Sequence, residues 1–296
     1  MHLLLLTARP RLQTNARLVA AARARGIALE VVDASEVVAG LAGALVCRHD
    51  GRSLLAPPPA AVLARVGNWR PETVLGLLEV VERAGVATPN SAHSTRIGRD
   101  HWRSLVALRD AGLPVPDSLL GADPERLAAA AMEALGLPIV VKQRRSRMGV
   151  GVILCDGRDH LEAVLDSLWR VGDEVLVQRF LDTGGASLRL VVVGERVVAA
   201  ARFVAGVGEW RSNGARGGQA EGHRPTEIEV GLAVAAARAL GLGICGVDLL
   251  PAADGPVVCE VNPTPGFLYV EQATGVDVAA AVVEELLSRA RNRMPS

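Results

Sequence analysis

The order of apolar segments at the start of the chain constrains its fold most strongly. Residues 3–6 predict a buried strand, TNARLVAAARARG predicts a helix that ends at Gly26, and IALEVVD predicts a second strand that ends at Asp33. A strand–helix–strand unit places its two strands in parallel, so this opening predicts a small parallel sheet. A further strand in AVLARVG and an amphipathic helix over 71–85 extend the same α/β pattern.

The remainder of the chain mixes helices with strands that are joined by short turns. Helices are predicted in RDHWRSLVALRDAGLPVP, DPERLAAAAMEALG, DHLEAVLDSLWRVG, EIEVGLAVAAARALG and DVAAAVVEELLSRARNR. Strands are predicted in LPIVVKQ, VILC, EVLVQRFL, CGVDLL and PVVCEVN, and a long hairpin in SLRLVVVGERVVAAARFV. The pair Gly194-Glu195 suits a two-residue type II′ turn at the centre of that hairpin. This part therefore predicts an α+β architecture.

Composition limits the classes of partner. Lys plus Arg and Asp plus Glu number 32 each, so net charge gives no argument for nucleic acid as a partner. No segment approaches the ~20 apolar residues that span a bilayer, and the start MHLLLLTARP lacks the basic region of a signal peptide. The four cysteines form no C-x-x-C pair, which indicates buried, reduced thiols. We expect a cytoplasmic protein with no nucleic-acid or membrane partner.

Three polar residues stand at the ends of two late strands. Asp248 lies in CGVDLL, and Glu260 and Asn262 lie in PVVCEVN after the turn-rich connection PAADG. Side chains alternate across a strand, so Glu260 and Asn262 share a face, and an antiparallel partner strand would bring Asp248 beside them. Three oxygen ligands of this kind suit Mg²⁺, although a polar strand end that faces solvent fits the same pattern.

The sole lysine of the chain, Lys142, ends an apolar strand just before a glycine-containing loop. The loop ends in Gly149-Val150-Gly151. A lysine together with backbone N–H groups of such a loop can hold phosphate groups. The Walker A pattern is absent, so this is not a P-loop. A single lysine also fits a chain that uses arginine for nearly all of its basic charge.

Taken together, these motifs resemble those of ATP-grasp ligases, and in particular the RimK-like α-L-glutamate ligases. The resemblance covers nearly the whole chain and rests on LVQRFL, WRSNGARGG, GVDLL and EVNPTPGF in this order. It implies a small parallel-sheet pre-ATP-grasp domain over 1–90 and a central ATP-grasp subdomain over 91–176 that carries the phosphate-covering loop. A C-terminal ATP-grasp subdomain with the metal site would follow over 177–296.

The resemblance also implies roles for the matching residues. Asp248, Glu260 and Asn262 would bind Mg²⁺ or Mn²⁺. Arg189, Arg211 and Asn213 would act at the reacting acyl phosphate. ATP would be bound by His101, Lys142, Met148, Gly149, Gly151, Gln178, Arg179, Phe180, Leu181, Ser187, Arg211, Ser212 and Asn213.

Four positions depart from the family pattern. His101 replaces a lysine that touches the α-phosphate, Arg179 replaces an acid on the adenine strand, and Ser187 replaces an aspartate near the ribose. Phe203 replaces an arginine after the hairpin. The metal end of the site therefore matches the family and the nucleoside end is altered, which predicts weaker or less selective ATP binding.

The implied activity is an ATP- and Mg²⁺-dependent carboxylate–amine ligase that works through an acyl phosphate. It would add glutamate or another amino acid to a peptide, a protein C-terminus or a pterin- or furan-type coenzyme precursor, and homo-oligomerisation is open. The alternatives are a catalytically weakened nucleotide-binding regulatory protein and a kinase that stops at the phosphorylated carboxylate.

Two further features have alternative interpretations. The loop arginines Arg144, Arg145 and Arg147 would capture an anionic acceptor or form a solvated turn. Trp210 would be a core residue or a stacking wall for a ligand.

Overall fold

The first part of the chain is built on a parallel sheet. The computed structural model describes residues 2–41, 45–145, 151–206, 209–212 and 219–293. The elements before residue 90 are β1 (His2–Thr7), α1 (Gln13–Arg23), β2 (Ala28–Asp33), β3 (Val37–Gly40), β4 (Val46–His49), β5 (Arg52–Ser53), β6 (Ala61–Arg65) and α2 (Pro71–Arg83). β1 lies between β2 and β6 and pairs in parallel with both, as the sequence predicts. β3, β4 and β5 form a separate antiparallel sheet that was not predicted from the sequence.

The middle of the chain forms a four-stranded antiparallel sheet. Its elements are α3 (Ala92–Gly98), α4 (His101–Asp110), β7 (Ser118–Leu120), α5 (Pro124–Ala134), β8 (Ile139–Gln143), β9 (Val152–Cys155), α6 (Arg158–Arg170) and β10 (Val175–Arg179). The strand order is β7-β10-β8-β9. Apolar side chains of α5 and α6 pack with those of β8 and β10 in one buried cluster. The boundary expected between residues 176 and 177 falls inside β10.

The last part of the chain forms a five-stranded antiparallel sheet. Its elements are β11 (Ala186–Val193), β12 (Arg196–Val204), β13 (Gln219–Gly222), α7 (Glu227–Ala239), β14 (Ile244–Ala252), β15 (Gly255–Asn262), α8 (Leu268–Thr274) and α9 (Val278–Arg293). The strand order is β13-β12-β11-β14-β15. Val193 pairs with Arg196 and Gly194 has a φ of 63°, so the predicted two-residue hairpin turn is present.

The C-terminal helix connects the first and last sheets. Val282 and Leu286 of α9 belong to one buried cluster that contains Leu3 and Leu5 of β1 and Val191 of β11. The two ends of the chain therefore share a core, and the last sheet is held in a fixed place against the first. Among the described residues, no helix is long and apolar enough to cross a bilayer.

Candidate active site

Three neighbouring strands carry one row of charged residues. Arg189 of β11 pairs in register with Asp248 of β14, and Asp248 pairs in register with Glu260 of β15. Asn262 lies two residues after Glu260 on β15 and pairs with Gly246, which lies two residues before Asp248 on β14. The predicted antiparallel pairing of the two late strands is present, and it brings the three proposed metal ligands to one end of the sheet.

A β-bulge shapes this end of β15. Asp248 pairs with Glu260 whereas Leu249 pairs with Val258, so Cys259 is an extra residue without a partner in the ladder. A bulge breaks the strict alternation of side chains. The Sγ atom of Cys259 consequently lies 3.6 Å from the Nζ atom of Lys142. Cys259 was not predicted as a site residue, because regular alternation would place it on the face opposite Glu260.

Lys142 connects the middle sheet to the last sheet. It lies in β8, is only 9% exposed, and extends its amine to Cys259 of β15. The buried lysine therefore lies beside the row formed by Arg189, Asp248 and Glu260. Its positive charge opposes the rise that burial causes in the pKa of Asp248 and of Cys259. The role of Lys142 at the ATP phosphates stays a prediction, which its buried positive charge suits.

Arg189 holds Asp248 through a two-pronged ion pair. Its Nε and Nη2 atoms donate to Oδ1 and Oδ2 of Asp248 at 2.7 and 2.5 Å. Burial raises the pKa of Asp248, an effect that the Arg189 guanidinium opposes and that Glu260 reinforces. The carboxylate of Asp248 in turn raises the pKa of Arg189. The Cζ atom of Arg189 lies 5.7 Å from the centroid of the Phe203 ring, so Phe203, which departs from the family pattern, makes a cation–π contact with Arg189.

The donor set at the strand ends fits a hard divalent cation. Asp248, Glu260 and Asn262 offer two carboxylates and one amide, which are the oxygen ligands that Mg²⁺ prefers. Asn262 Oδ1 already accepts a hydrogen bond from the Thr264 N–H at 2.9 Å, and a carbonyl oxygen has a second lone pair for a metal. The described residues contain no group of three or more His, Cys, Asp or Glu that could hold a metal ion.

The side chains of β10 are fixed by packing and hydrogen bonds. Gln178 is buried and donates to the Ser118 hydroxyl at 2.9 Å. The Arg179 guanidinium donates to the carbonyls of Ala134 and Leu135 and to Asp117, so it covers the C-terminal end of α5. The side chain that departs from the family pattern at Arg179 therefore has a structural role. Phe180 and Leu181 follow directly and are half-buried.

The segment after β12 folds back onto β10 and β11. The rings of Trp210 and Phe180 meet edge to face at 5.9 Å, and the Ser212 hydroxyl donates to that of Ser187 at 2.6 Å. Trp210 is half-buried, so it packs against a residue of the proposed adenine strand instead of lying within a core cluster. Ser187 and Ser212 are brought together as one polar pair.

Arg211 is clamped by its own neighbour Glu209. Its Nε and Nη2 atoms each lie 2.9 Å from a carboxylate oxygen of Glu209, and its Nη1 donates to the Val152 carbonyl at 3.0 Å. The Arg211 guanidinium lowers the pKa of Glu209 to about 2. The clamp fixes the arginine that the family resemblance assigns to the acyl phosphate.

The loop after β8 is described only at its two ends. Met148, Gly149 and Asn213 lie outside the described residues, as do Ser146 and Arg147. Gly151 has a φ of 71°, and a Cβ atom there would collide with the Gln143 side chain, so glycine is strongly favoured at this position. His101 begins α4 and its N–H donates to the Arg144 carbonyl at 3.0 Å.

Arg144 is not available to an acceptor, contrary to the interpretation of all three loop arginines as ligands. Its guanidinium donates to Oδ1 of Asp100 at 2.9 Å and to Glu174 at 3.1 Å. Asp100 is nearly fully buried and also caps the N-terminus of α4. Arg144 therefore locks the start of the loop to α4, whereas Arg145 is 61% exposed.

Comparison with known proteins identifies the family of the chain. Residues 98–286 match the model of the RimK-like ATP-grasp domain. Probable alpha-L-glutamate ligases from Teredinibacter turnerae and Thioalkalivibrio sulfidiphilus are 35% and 36% identical over 293 residues, covering 98% of this chain and 97% of each relative.

Solved structures show the same architecture. The ATP-grasp ligase PsnB complexed with a minimal precursor has a TM-score of 0.75 at 25% identity and covers 97% of this chain and 98% of its own. PsnB was also solved with a phosphomimetic precursor variant, Mg and ADP, with a TM-score of 0.73, the same identity and the same coverage. The α/β and α+β fold class is thereby confirmed, and the fold implies ATP binding. The chain belongs to the RimK-like ATP-grasp family and is an ADP-forming carboxylate–amine ligase.

Proposed function

We propose that this enzyme joins an amino acid to the carboxylate of a peptide or peptide-like acceptor, with ATP and Mg²⁺ as cofactors. Glutamate is the leading candidate for the amino acid. The observation that carries the proposal is the row of Arg189, Asp248 and Glu260 on adjacent strands with Lys142 beside it. The names of the relatives support glutamate as the amine, and the precursor complexes of PsnB support a peptide acceptor.

The chemistry has two steps. A carboxylate oxygen of the acceptor attacks the γ-phosphorus of ATP, the bond from phosphorus to the bridging oxygen breaks, and ADP leaves. The amine then attacks the acyl carbon, loses a proton, and the carbon–oxygen bond to phosphate breaks. Neither step needs a covalent bond to the protein, so the chain's contribution is positioning and charge.

The residues of the chain divide these tasks. Lys142 and Arg189 place positive charge beside the transferred phosphate, and Arg211 is held ready by Glu209. Asp248, Glu260 and Asn262 would hold Mg²⁺, which supplies charge neutralisation for the phosphate oxygens. We propose that Gln178, Phe180, Leu181, Ser187 and Ser212 line the nucleoside end, and that the backbone of Arg179 contributes there while its side chain does not.

A phosphate-release screen tests the proposal. Purified enzyme with MgATP is supplied with pairs of an amino acid and an acceptor peptide, and mass spectrometry identifies the product. The proposal predicts ADP formation that requires both the amine and the acceptor, and a product heavier than the acceptor by one amino-acid residue. ADP formation that needs the acceptor but not the amine would indicate the kinase alternative, and nucleotide binding without turnover would indicate the regulatory one.

Glu260→Gln is the matched variant for that screen. It keeps the shape of the side chain and removes one negative charge from the row. We expect a loss of turnover of about a hundredfold or more, comparable to the removal of other single charge-stabilising groups. Glu195→Gln, on the exposed hairpin turn, is the control and should retain full turnover.

A further inference from the structure

An arginine-lined recess lies outside the row of site residues. Its volume is about 270 Å³. The recess lies between the start of α2, the connection from α3 to α4, and Arg145. Four arginines and two carboxylates line it: Arg96, Arg99, Arg103, Arg145, Glu72 and Asp100. We call this group the arginine recess.

The described lining of the arginine recess has an excess of positive charge. Four guanidinium groups stand against two carboxylates. One of these carboxylates, Asp100, is shared by three guanidiniums, with Arg144, Arg103 and Arg145 at 2.9, 3.7 and 3.9 Å from Oδ2. Glu174 is a second partner of Arg144, so two carboxylates face three guanidiniums, and the remaining positive charge attracts anions.

Arg99 donates to the Val66 carbonyl at 2.8 Å, which leaves Arg103 and Arg145 as the two arginines of the recess that are available to a ligand. Arg96 is occupied by Glu72 and Glu79, each at 3.0 Å, and forms part of the wall. Arg103 and Arg145 are 54% and 61% exposed, and neither guanidinium donates a hydrogen bond to a described residue. Each planar guanidinium can therefore turn to a carboxylate and bind it with two parallel hydrogen bonds.

The rim of the recess adds a second, independent observation. Asn68 and Pro71 line the recess, and the two residues between them are Trp69 and Arg70. Arg70 has a φ of 44°, a left-handed conformation that costs a non-glycine residue free energy. Its guanidinium lies 5.4 Å from the Trp69 ring, which is 56% exposed. An exposed tryptophan on a strained turn beside a basic recess is suited to contact a peptide.

The position of the recess links it to the acceptor. Arg145 lies three residues after Lys142 on the same segment, and Asp100 directly precedes His101 at the start of α4. Asp100 of the recess binds Arg144, and the Arg144 carbonyl accepts from the His101 N–H, so the recess adjoins the start of the loop after β8. A substrate whose reacting carboxylate reached the phosphate site could place further acidic groups in the recess.

We propose that the arginine recess binds acidic side chains of the acceptor, so that the enzyme selects an acidic peptide tail over a neutral one through Arg103 and Arg145. This inference rests on the proposed ligation of a peptide-like acceptor. It identifies two residues that determine specificity, and it assigns Arg145 to the acceptor and not to ATP.

Binding without turnover tests the proposal. The probes are two rhodamine-labelled hexapeptides, Ala-Ala-Asp-Asp-Asp-Ala and Ala-Ala-Asn-Asn-Asn-Ala, which share the C-terminal carboxylate and differ only in side-chain charge. Fluorescence anisotropy at low ionic strength should show tighter binding of the aspartate peptide. Arg103→Gln and Arg145→Gln should each lower that affinity about fivefold, and the double variant more than tenfold, as expected for losing one exposed ion pair each. Added salt should weaken binding of the aspartate peptide to the wild type.

Arg238→Gln is the matched control, since Arg238 is 74% exposed and lies 3.8 Å from a single carboxylate, that of Glu195. It should bind both peptides as the wild type does. Equal binding of the two peptides, or unchanged binding in both recess variants, overturns the proposal. Displacement of the peptide by inorganic phosphate at far lower concentration than by free aspartate would mark a phosphate site and would also overturn it.

ATP binding to the same variants separates this inference from the proposed function. Calorimetry with MgATP should give the same affinity for wild type, Arg103→Gln and Arg145→Gln. Weaker ATP binding with unchanged peptide binding would assign the arginines to the nucleotide and refute the inference, while ligation itself would stand. Specific peptide binding without any amine-dependent turnover would refute the proposed function and leave the recess assignment intact.

Discussion

Arg189 and Asp248 form a bidentate ion pair between adjacent strands, with donor–acceptor distances of 2.7 and 2.5 Å. Because the two residues are in register on β11 and β14, the backbone ladder itself sets their separation. The same carboxylate is a proposed metal ligand, so one ion pair links the stability of the sheet to the chemistry of the site.

Arg189→Gln should destabilise the protein as well as inactivate it. The variant leaves the largely buried Asp248 without its partner, and we expect a loss of about 1–3 kcal/mol in the free energy of unfolding. The double variant Arg189→Gln with Asp248→Asn also removes the unpaired carboxylate. Its free energy of unfolding should return close to that of the wild type, while activity stays lost. Chemical denaturation of the two single variants and the double variant measures this. Additive losses would show that the pair is not coupled.

Gly151→Ala should disturb the start of the loop after β8. The alanine would pay for a left-handed φ and would also displace the Gln143 side chain from Asp173. Gly172→Ala is the control, since Gly172 has a φ of 78° and open space around its Cβ position. We expect about 1 kcal/mol for the control, and a clearly larger loss for Gly151→Ala. Equal unfolding free energies of the two variants would contradict the predicted clash.

Arg179→Ala should lower stability without changing the Michaelis constant for ATP. The guanidinium donates to the carbonyls of Ala134 and Leu135 at the end of α5, and loss of such a helix C-terminal contact typically costs about 0.5–1 kcal/mol. Thermal unfolding and steady-state kinetics measure the two effects. A raised Michaelis constant for ATP with unchanged thermal stability would show that the Arg179 side chain acts at the nucleotide site.

Cys259 should be the cysteine that a small thiol reagent modifies, and MgATP should protect it. Cys47, Cys155 and Cys245 are all 0% exposed, whereas Cys259 is partly exposed beside Lys142. Burial raises the pKa of the Cys259 thiol, so modification at neutral pH should be slow. Mass spectrometry after timed alkylation identifies the modified residue. Modification of Cys259 that is unaffected by MgATP would place the nucleotide elsewhere.

The three acidic and amide residues at the strand ends were accessible from the sequence because strand alternation and a turn-rich connection are local signals, whereas Arg189 was implied only by the family resemblance. Asp248, Glu260 and Asn262 follow from two apolar runs joined by PAADG. The bulge at Cys259 was not accessible, since no residue in VVCEV is of the type that marks a bulge. Lys142 was identified, but its contact with Cys259 depends on that bulge and on the packing of two sheets.

Long-range charge pairing was also beyond the sequence. Arg144 and Arg145 are adjacent, yet one is locked to Asp100 and Glu174 and the other is exposed. The sheet formed by β3, β4 and β5 was missed because its strands are at most four residues long and carry little alternation. The arginine recess combines residues from three separate segments, which only the tertiary fold brings together.

The transfer of an oxygen atom tests the central claim most directly. An acceptor that supports turnover in the screen is prepared with ¹⁸O in its reacting carboxylate, and the released phosphate is analysed by mass spectrometry. An acyl-phosphate route predicts one ¹⁸O atom in each phosphate formed, because the carboxylate oxygen that attacked phosphorus leaves with it. Phosphate without ¹⁸O, released in step with product, would contradict ligation through an acyl phosphate.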